Sequence, residues 1–257
     1  MSRARHLLVV GAQRCGTTYL HDQLAAHPQV AMARPARPEP KVFLSDEVVE
    51  RGADWYRATW FAHATDETVL GEKSTSYLEY AACADRAAAV LGDPLVLVQL
   101  RDPVARAASH WSFSRDSGLE ERPLAEALER NLEGPLPWDP RRTSVSPYAY
   151  LERGRYADYL APWLERFGDD VTVLLLEDLV ADPTRIRDAY AAIGVDPGFV
   201  PAELGVPVNE SSRSGAEGLP ADLPADLAAR LRDHFAESDR ALAELLGRSL
   251  PWRDAAG

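Results

Sequence analysis

The first strong feature of the chain is a continuous apolar run, HLLVV at residues 6–10. Such a run predicts a strand buried on both faces, as in a parallel sheet. It leads into a glycine-containing turn, and a helix is predicted from about Thr17 to His27, stopped by Pro28. The following stretch, ARPARPEPKVFL, cannot be helical through Pro35, Pro38 and Pro40. Residues 46–62 return to helical spacing through Val49, Trp55, Tyr56 and Trp60. TVLGEKSTSYL (68–78) reads as a short strand running into a loop, followed by a helix near 81–91.

LVLVQL (95–100) is a second buried strand, and Pro103 opens a further helix at a first-turn position that suits proline. Residues 133–147 form a long irregular segment of the kind that often serves as a lid or binding loop. A helix is expected over 148–167 with Leu151, Tyr159, Leu160, Trp163 and Phe167 on its apolar face. VTVLLL (171–176) is a third buried strand; 184–193 reads as helix and 221–247 as a final amphipathic helix. No internal repeat is visible. Strands alternating with helices predict an α/β fold, a P-loop-like parallel sheet with helices on both faces, in a single domain spanning 1–257.

Composition narrows the function classes. The 257 residues are 46% hydrophobic and 26% charged, with a formal net charge of −12. That charge repels a polyanion over most of the surface and argues against a nucleic-acid partner, while leaving room for a small anion in a local basic pocket. Two cysteines, Cys15 and Cys83, are too few for a disulfide scaffold and fit a reducing, cytoplasmic setting. The apolar run near the N-terminus is short for a signal peptide, and no stretch approaches the ~18 apolar residues of a membrane span.

The turn after the first strand, GAQRCGTT (11–18), has the outline G-x-x-x-x-G-K-[ST], but Thr17 stands where the nucleotide-binding lysine belongs. A glycine-rich turn from strand to helix directs backbone N–H groups and the helix dipole at an anion whatever its side chains. Loss of the lysine suits a donor with a shorter phosphate chain than ATP or GTP. Arg14 supplies charge inside the loop, and Thr17 and Thr18 supply hydroxyls. Two other readings stand beside this one: a ligand-free turn, and an NTPase whose second motif would be VTVLLLED (171–178). Glu177 and Asp178 can equally open the next helix, where acids are favoured.

GAQRCGTTYLHDQLAAHPQV resembles the 5′-phosphosulfate loop of sulfotransferases that use 3′-phosphoadenosine 5′-phosphosulfate (PAPS), in particular the branch holding the heparan sulfate sulfotransferase domains and their bacterial relatives. EPKVFL (39–44), GEKSTSYL (71–78) and LRDPVARAASHW (100–111) resemble further segments of that family in the same order. GRYADYLAPWLERFG and VLLLEDLVADP extend the likeness to about residue 195.

The resemblance implies a set of roles. Gln13, Arg14, Cys15, Gly16, Thr17 and Thr18 would hold the 5′ end of PAPS, with Arg101 and Ser109 on the 3′ phosphate as planar fork and neutral donor. Arg213 would match a late basic residue that reaches the same phosphate, although it reads equally well as a solvated loop arginine. Glu39 would be the general base, with Lys41 and Lys73 flanking the sulfuryl group. The prolines around Glu39 should hold its segment extended so that the carboxylate projects. Many relatives have lysine at the position of Arg14; arginine neutralises charge but cannot give up a proton, which leaves Lys73 as the candidate donor to the leaving phosphate. Asp46 and Glu72 are the next carboxylates to consider as base. Arg106 and His110 read as structural. No metal-ligand spacing appears, and none is required. The acceptor would be a small molecule or carbohydrate bearing a hydroxyl or amine, with no nucleic-acid or membrane partner. A P-loop kinase or NTPase and a non-catalytic nucleotide-binding module are the alternatives.

Overall fold

A computed structural model of the chain describes residues 4–139, 143, 145–206 and 223–254. Over these residues the chain divides into two compact units: 4–100 with 159–206, and 101–158 with 223–254.

The first unit is built on five parallel strands: β1 (Arg5–Gly11), β2 (Val30–Met32), β3 (Val69–Lys73), β4 (Leu95–Leu100) and β5 (Val171–Leu175), in the order β2-β3-β1-β4-β5. The order changes direction at β1, and ligands of such sheets sit at the carboxyl ends of strands near that change. Leu7 and Val9 pack against Leu20 and Leu24 of α1 (Thr17–Ala26), together with Ile186, Ala189 and Tyr190 of α8 (Ile186–Ala192). Side chains alternate along a strand, so buried Leu8, Val10, Val96 and Val98 require that the opposite face be covered too. Each fully buried Leu contributes about 1.5–3 kcal/mol of transfer free energy, and continuous burial explains why β1 and β4 read as unbroken apolar runs. The unit also holds α2 (Glu47–Trp60, kinked at Gly52), α3 (Ala81–Leu91) and α7 (Leu176–Ala181).

In the second unit, α4 (Pro103–Asp116), α5 (Leu124–Asn131) and α9 (Ala225–Leu246) share a core. Val104, Ala107 and Trp111 of α4 meet Leu124 and Leu128 of α5 and Leu227, Leu231 and Phe235 of α9. The short α10 (Pro251–Asp254) follows, and α6 (Tyr156–Phe167) spans the division between the units.

Several sequence expectations needed correction. β2 was not foreseen; three residues are too few to show a period. The helices at 124–131 and 251–254 were also missed. The helix expected from 148 starts only at Tyr156, because the backbone before it is satisfied by side chains. The carbonyl of Tyr150 accepts from the Arg106 guanidinium, and the N–H of Leu151 donates to Asn131 Oδ1 at 2.9 Å. The strand expected over 171–176 is β5 and ends at Leu175, and Glu177 and Asp178 lie in the first turn of α7. Asp178 pairs with Arg185 at 3.2 Å. Within 133–147 the described residues form no helix or strand.

Candidate active site

The loop between β1 and α1 is shaped by two left-handed residues, Arg14 (φ 68) and Gly16 (φ 76). Backbone of this kind gathers N–H groups on its concave side. A side chain at Gly11 would place its Cβ 2.7 Å from the Cβ of Leu78, and one at Gly16 would lie 2.8 Å from Nε2 of Gln99. Both positions therefore need glycine for close approach. No acid occupies the first turn of α1, which suits an anion at that helix start. Thr17 is buried, while Gln13, Arg14, Gly16 and Thr18 are half-buried.

Cys15 gives the loop its form. Its thiol is buried, its N–H donates to the Ala12 carbonyl at 3.2 Å, and its carbonyl accepts from Gln99 Nε2 at 2.6 Å. Ala12 N–H in turn donates to the Gln99 carbonyl at 2.8 Å. Gln99 thus braces the loop through both its backbone and its side chain. The sequence reading missed it, although a lone glutamine in LVLVQL was the available signal.

The loop adjoins the carboxyl end of β3, since Val9 of β1 pairs in register with Lys73. Beyond β3 the chain stays attached to β1: Ser74 N–H donates to the Val9 carbonyl at 3.1 Å and Leu78 N–H to that of Val10 at 3.0 Å. Here Lys73 Nζ meets Glu39 Oε1 at 2.6 Å. Glu39 Oε2 accepts from Thr75 N–H at 3.0 Å and from Thr75 Oγ1 at 3.1 Å. A carboxylate has about four acceptor sites, so these three donors leave room for one more. The Glu39 carboxylate therefore does not project bare from an extended segment; it is docked on the end of β3.

Lys41 follows in the left-handed region (φ 54), and its N–H donates to Ser74 Oγ at 2.9 Å. Of the substitute carboxylates, Asp46 precedes α2 without a side-chain capping bond and pairs with Arg86 at 2.6 Å. Glu72 is fully buried and accepts from the hydroxyls of Ser74, Tyr56 and Tyr77, each at 2.6 Å. Burial pushes its carboxyl above the usual range, and these three hydroxyl bonds pull it back. Such burial removes Glu72 from contact with any acceptor and corrects its place among the candidate bases.

In the second unit, Arg101 and Ser109 are both buried, Arg101 just after β4 and Ser109 on α4. The Arg101 carbonyl accepts from Tyr156 Oη at 2.9 Å. Asp102 caps α4 through Val104 N–H at 2.9 Å and grips Arg232 with both oxygens, at 2.6 and 2.5 Å. Arg106 is buried with its guanidinium on the Tyr150 carbonyl, and His110 lies edge-on to the Tyr150 ring. Arg213 lies outside the described residues.

A family model described as "Sulfotransferase domain" matches residues 4–188. Heparan sulfate glucosamine 3-O-sulfotransferase 6 of Homo sapiens is 28% identical over 265 residues, covering 95% of this chain and 72% of its own length. The bifunctional heparan sulfate N-deacetylase/N-sulfotransferase 1 of Caenorhabditis briggsae is 29% identical over 196 residues, 72% of this chain but 22% of that protein. The chain thus spans well under half of the latter relative. The crystal structure of a sulfotransferase from Alicyclobacillus acidocaldarius superposes with a TM-score of 0.74 at 27% identity, covering 98% of this chain and all of that one. The sulfotransferase domain from the curacin biosynthetic pathway, at 14% identity and a TM-score of 0.51, shares the fold.

Proposed function

The chain belongs to the sulfotransferase domain family, and we propose that its sulfuryl donor is PAPS, with Glu39 as general base toward a hydroxyl or amine of a carbohydrate or small molecule. The observation that carries this reading is the pairing of a lysine-free phosphate loop with a carboxylate–ammonium pair, Glu39–Lys73, on the neighbouring strand end.

In this reading the acceptor oxygen attacks sulfur in line and its proton passes to the one acceptor site left on Glu39. The bond from sulfur to the bridging oxygen breaks, and its electron pair stays on the departing adenosine 3′,5′-bisphosphate. The loop from Gly11 to Thr18 holds the 5′ end, and Arg14 balances charge growing on the leaving oxygen. Lys73, already on Glu39, steadies the sulfuryl oxygens and orients the base. Lys41 supplies a second cation to the same group. Arg101 and Ser109 bind the 3′ phosphate. Both units are read as parts of one sulfotransferase domain.

The curated relatives are named for heparan sulfate and its glucosamine. A net charge of −12 disfavours a long polyanionic glycan here, which turns the choice toward a short saccharide or a small hydroxylated molecule.

The donor is tested by thermal denaturation. Adenosine 3′,5′-bisphosphate should raise Tm more than Mg-ATP at equal concentration, because the ligand that binds the native state more tightly stabilises it more. Equal or greater stabilisation by Mg-ATP would contradict the reading in favour of a nucleotide triphosphatase or kinase. Bisphosphate binding without transfer to any acceptor would mark a non-catalytic module.

A further inference from the structure

The segment 39–44 carries the proposed base, yet it lies outside the sheet and contains a strained residue. Lys41 is a non-glycine residue in the left-handed region, a conformation that persists only where its surroundings enforce it. Two backbone N–H groups of this segment end on hydroxyls: Lys41 N–H on Ser74 Oγ at 2.9 Å and Phe43 N–H on Tyr77 Oη at 3.2 Å. Both hydroxyls pass their own protons to one atom, Oε1 of Glu72, at 2.6 Å each. The other oxygen, Oε2, takes the Tyr56 hydroxyl at 2.6 Å.

Resting on the proposed role of Glu39, we propose that Glu72 is a positioning residue for sulfuryl transfer. Its buried carboxylate orients the Ser74 and Tyr77 hydroxyls as acceptors for the Lys41 and Phe43 amides, and so sets the backbone that presents Glu39 to Lys73 and Thr75. Residues 72–75 then grip the segment from four successive positions. Glu72 acts through the two relays, Lys73 by the ion pair, Ser74 on the Lys41 amide, and Thr75 on the Glu39 carboxylate. Neighbouring side chains on a strand point to opposite faces, which lets Glu72 hold from the core while Lys73 reaches the carboxylate. Because both hydroxyls spend their protons on Glu72 Oε1, each is left with a lone pair to turn toward the amide. Glu72 touches neither donor nor acceptor.

Tyr56 separates positioning from plain stability, because it bonds Glu72 without touching residues 39–44 through that hydroxyl. The experiment compares Glu72→Gln, Ser74→Ala, Tyr77→Phe and Tyr56→Phe, alone and in a Glu39→Gln background. Amide hydrogen exchange, which needs no acceptor, should speed up at both Lys41 and Phe43 in Glu72→Gln, at Lys41 in Ser74→Ala and at Phe43 in Tyr77→Phe, and change little at either amide in Tyr56→Phe. Turnover is read as radiolabelled sulfate passed from PAPS to 4-nitrophenol or to a glucosamine oligosaccharide. Ser74→Ala and Tyr77→Phe should lower kcat about tenfold, with the Kd for adenosine 3′,5′-bisphosphate within about twofold of wild type. Tyr56→Phe should keep kcat within about twofold despite a lower Tm. With Glu39 already replaced by Gln, Ser74→Ala should cost little further rate, since coupled residues are not additive. Unchanged exchange at both amides, or a Tyr56→Phe loss of kcat equal to that of Tyr77→Phe, would overturn the positioning role. Full turnover by Glu39→Gln would instead overturn Glu39 as base, and the exchange result would still decide whether Glu72 sets the backbone.

Discussion

The side-chain amide of Gln99 donates to the carbonyl of Cys15 at 2.6 Å, tying the middle of the Gly11–Thr18 loop to the adjacent strand β4. The bond satisfies a loop carbonyl that would otherwise need another partner. Gln99→Leu keeps the bulk of the side chain and removes the donor. Affinity for adenosine 3′,5′-bisphosphate should fall by about 1–2 kcal/mol, the scale of one lost hydrogen bond with local rearrangement. Isothermal titration calorimetry checks this, and wild-type affinity in the variant would show that the loop holds its shape without the brace.

Gly16 and Gly247 both have positive φ, 76 and 62, but only Gly16 is crowded. A methyl at Gly16 would lie 2.8 Å from Gln99 Nε2 and Leu176 Cδ1, whereas nothing lies within 4 Å at Gly247. Gly247→Ala should therefore cost about 1 kcal/mol of stability. Gly16→Ala should cost about 2–3 kcal/mol and abolish tight bisphosphate binding. Urea denaturation of both variants provides the comparison; equal losses would contradict the crowding argument.

Asp239 gives a pH-dependent signature. Burial pushes its carboxyl up to about 6, with nearby Asp102 adding to the rise; the Trp252 Nε1–H bond, Arg232 and Arg253 oppose it. An ordinary aspartate titrates near 4. Between about pH 4 and pH 6 the unfolded chain ionises this group while the folded chain keeps it neutral, so folding stability falls as pH rises through that window. Asp239→Asn lacks the effect. Its stability relative to wild type should thus improve by on the order of 2 kcal/mol between pH 4 and pH 7. A constant difference across that range, in denaturation curves at each pH, would contradict the shift.

How much was legible depended on whether the signal was local. Strands β1 and β4 showed as apolar runs because every position of β4 and all but the first of β1 are buried, and helices α1 and α3 showed because one face of each packs on the core. The loop was visible because its glycines answer to backbone geometry that sequence spacing preserves. Gln99, Ser74, Thr75 and Tyr77 were not recognised as parts of the site, because each acts on a residue distant in sequence. The bonds of Gln99 to Cys15 and Thr75 to Glu39 bridge separations of 84 and 36 residues. Glu72 looked like a spare base for the same reason: nothing in GEKSTSYL says that its carboxylate points into the core.

The proposed role of Arg101 gives a donor-selective prediction. Arg101→Ala should weaken PAPS binding by about 2–3 kcal/mol, the scale of a charge-assisted contact. Adenosine 5′-phosphosulfate lacks the 3′ phosphate, so its binding should change far less. Competition titrations with both donors read the difference, and equal weakening would remove Arg101 from the 3′-phosphate site.

Glu39 carries the central claim, and Glu39→Gln is its most direct test. Glutamine keeps the size of the side chain and an oxygen for the Thr75 amide, but it cannot take up the acceptor's proton. Donor affinity should stay within about twofold of wild type because the loop and Arg101 are untouched. The measurement is single-turnover transfer of radiolabelled sulfate from saturating PAPS to an alcohol and to a phenol. The rate should fall by about 10²–10⁴-fold for the alcohol and less for the phenol, whose lower pKa lets it lose its proton with less help. A Glu39→Gln enzyme that transfers sulfate to the alcohol at the wild-type rate would contradict the account.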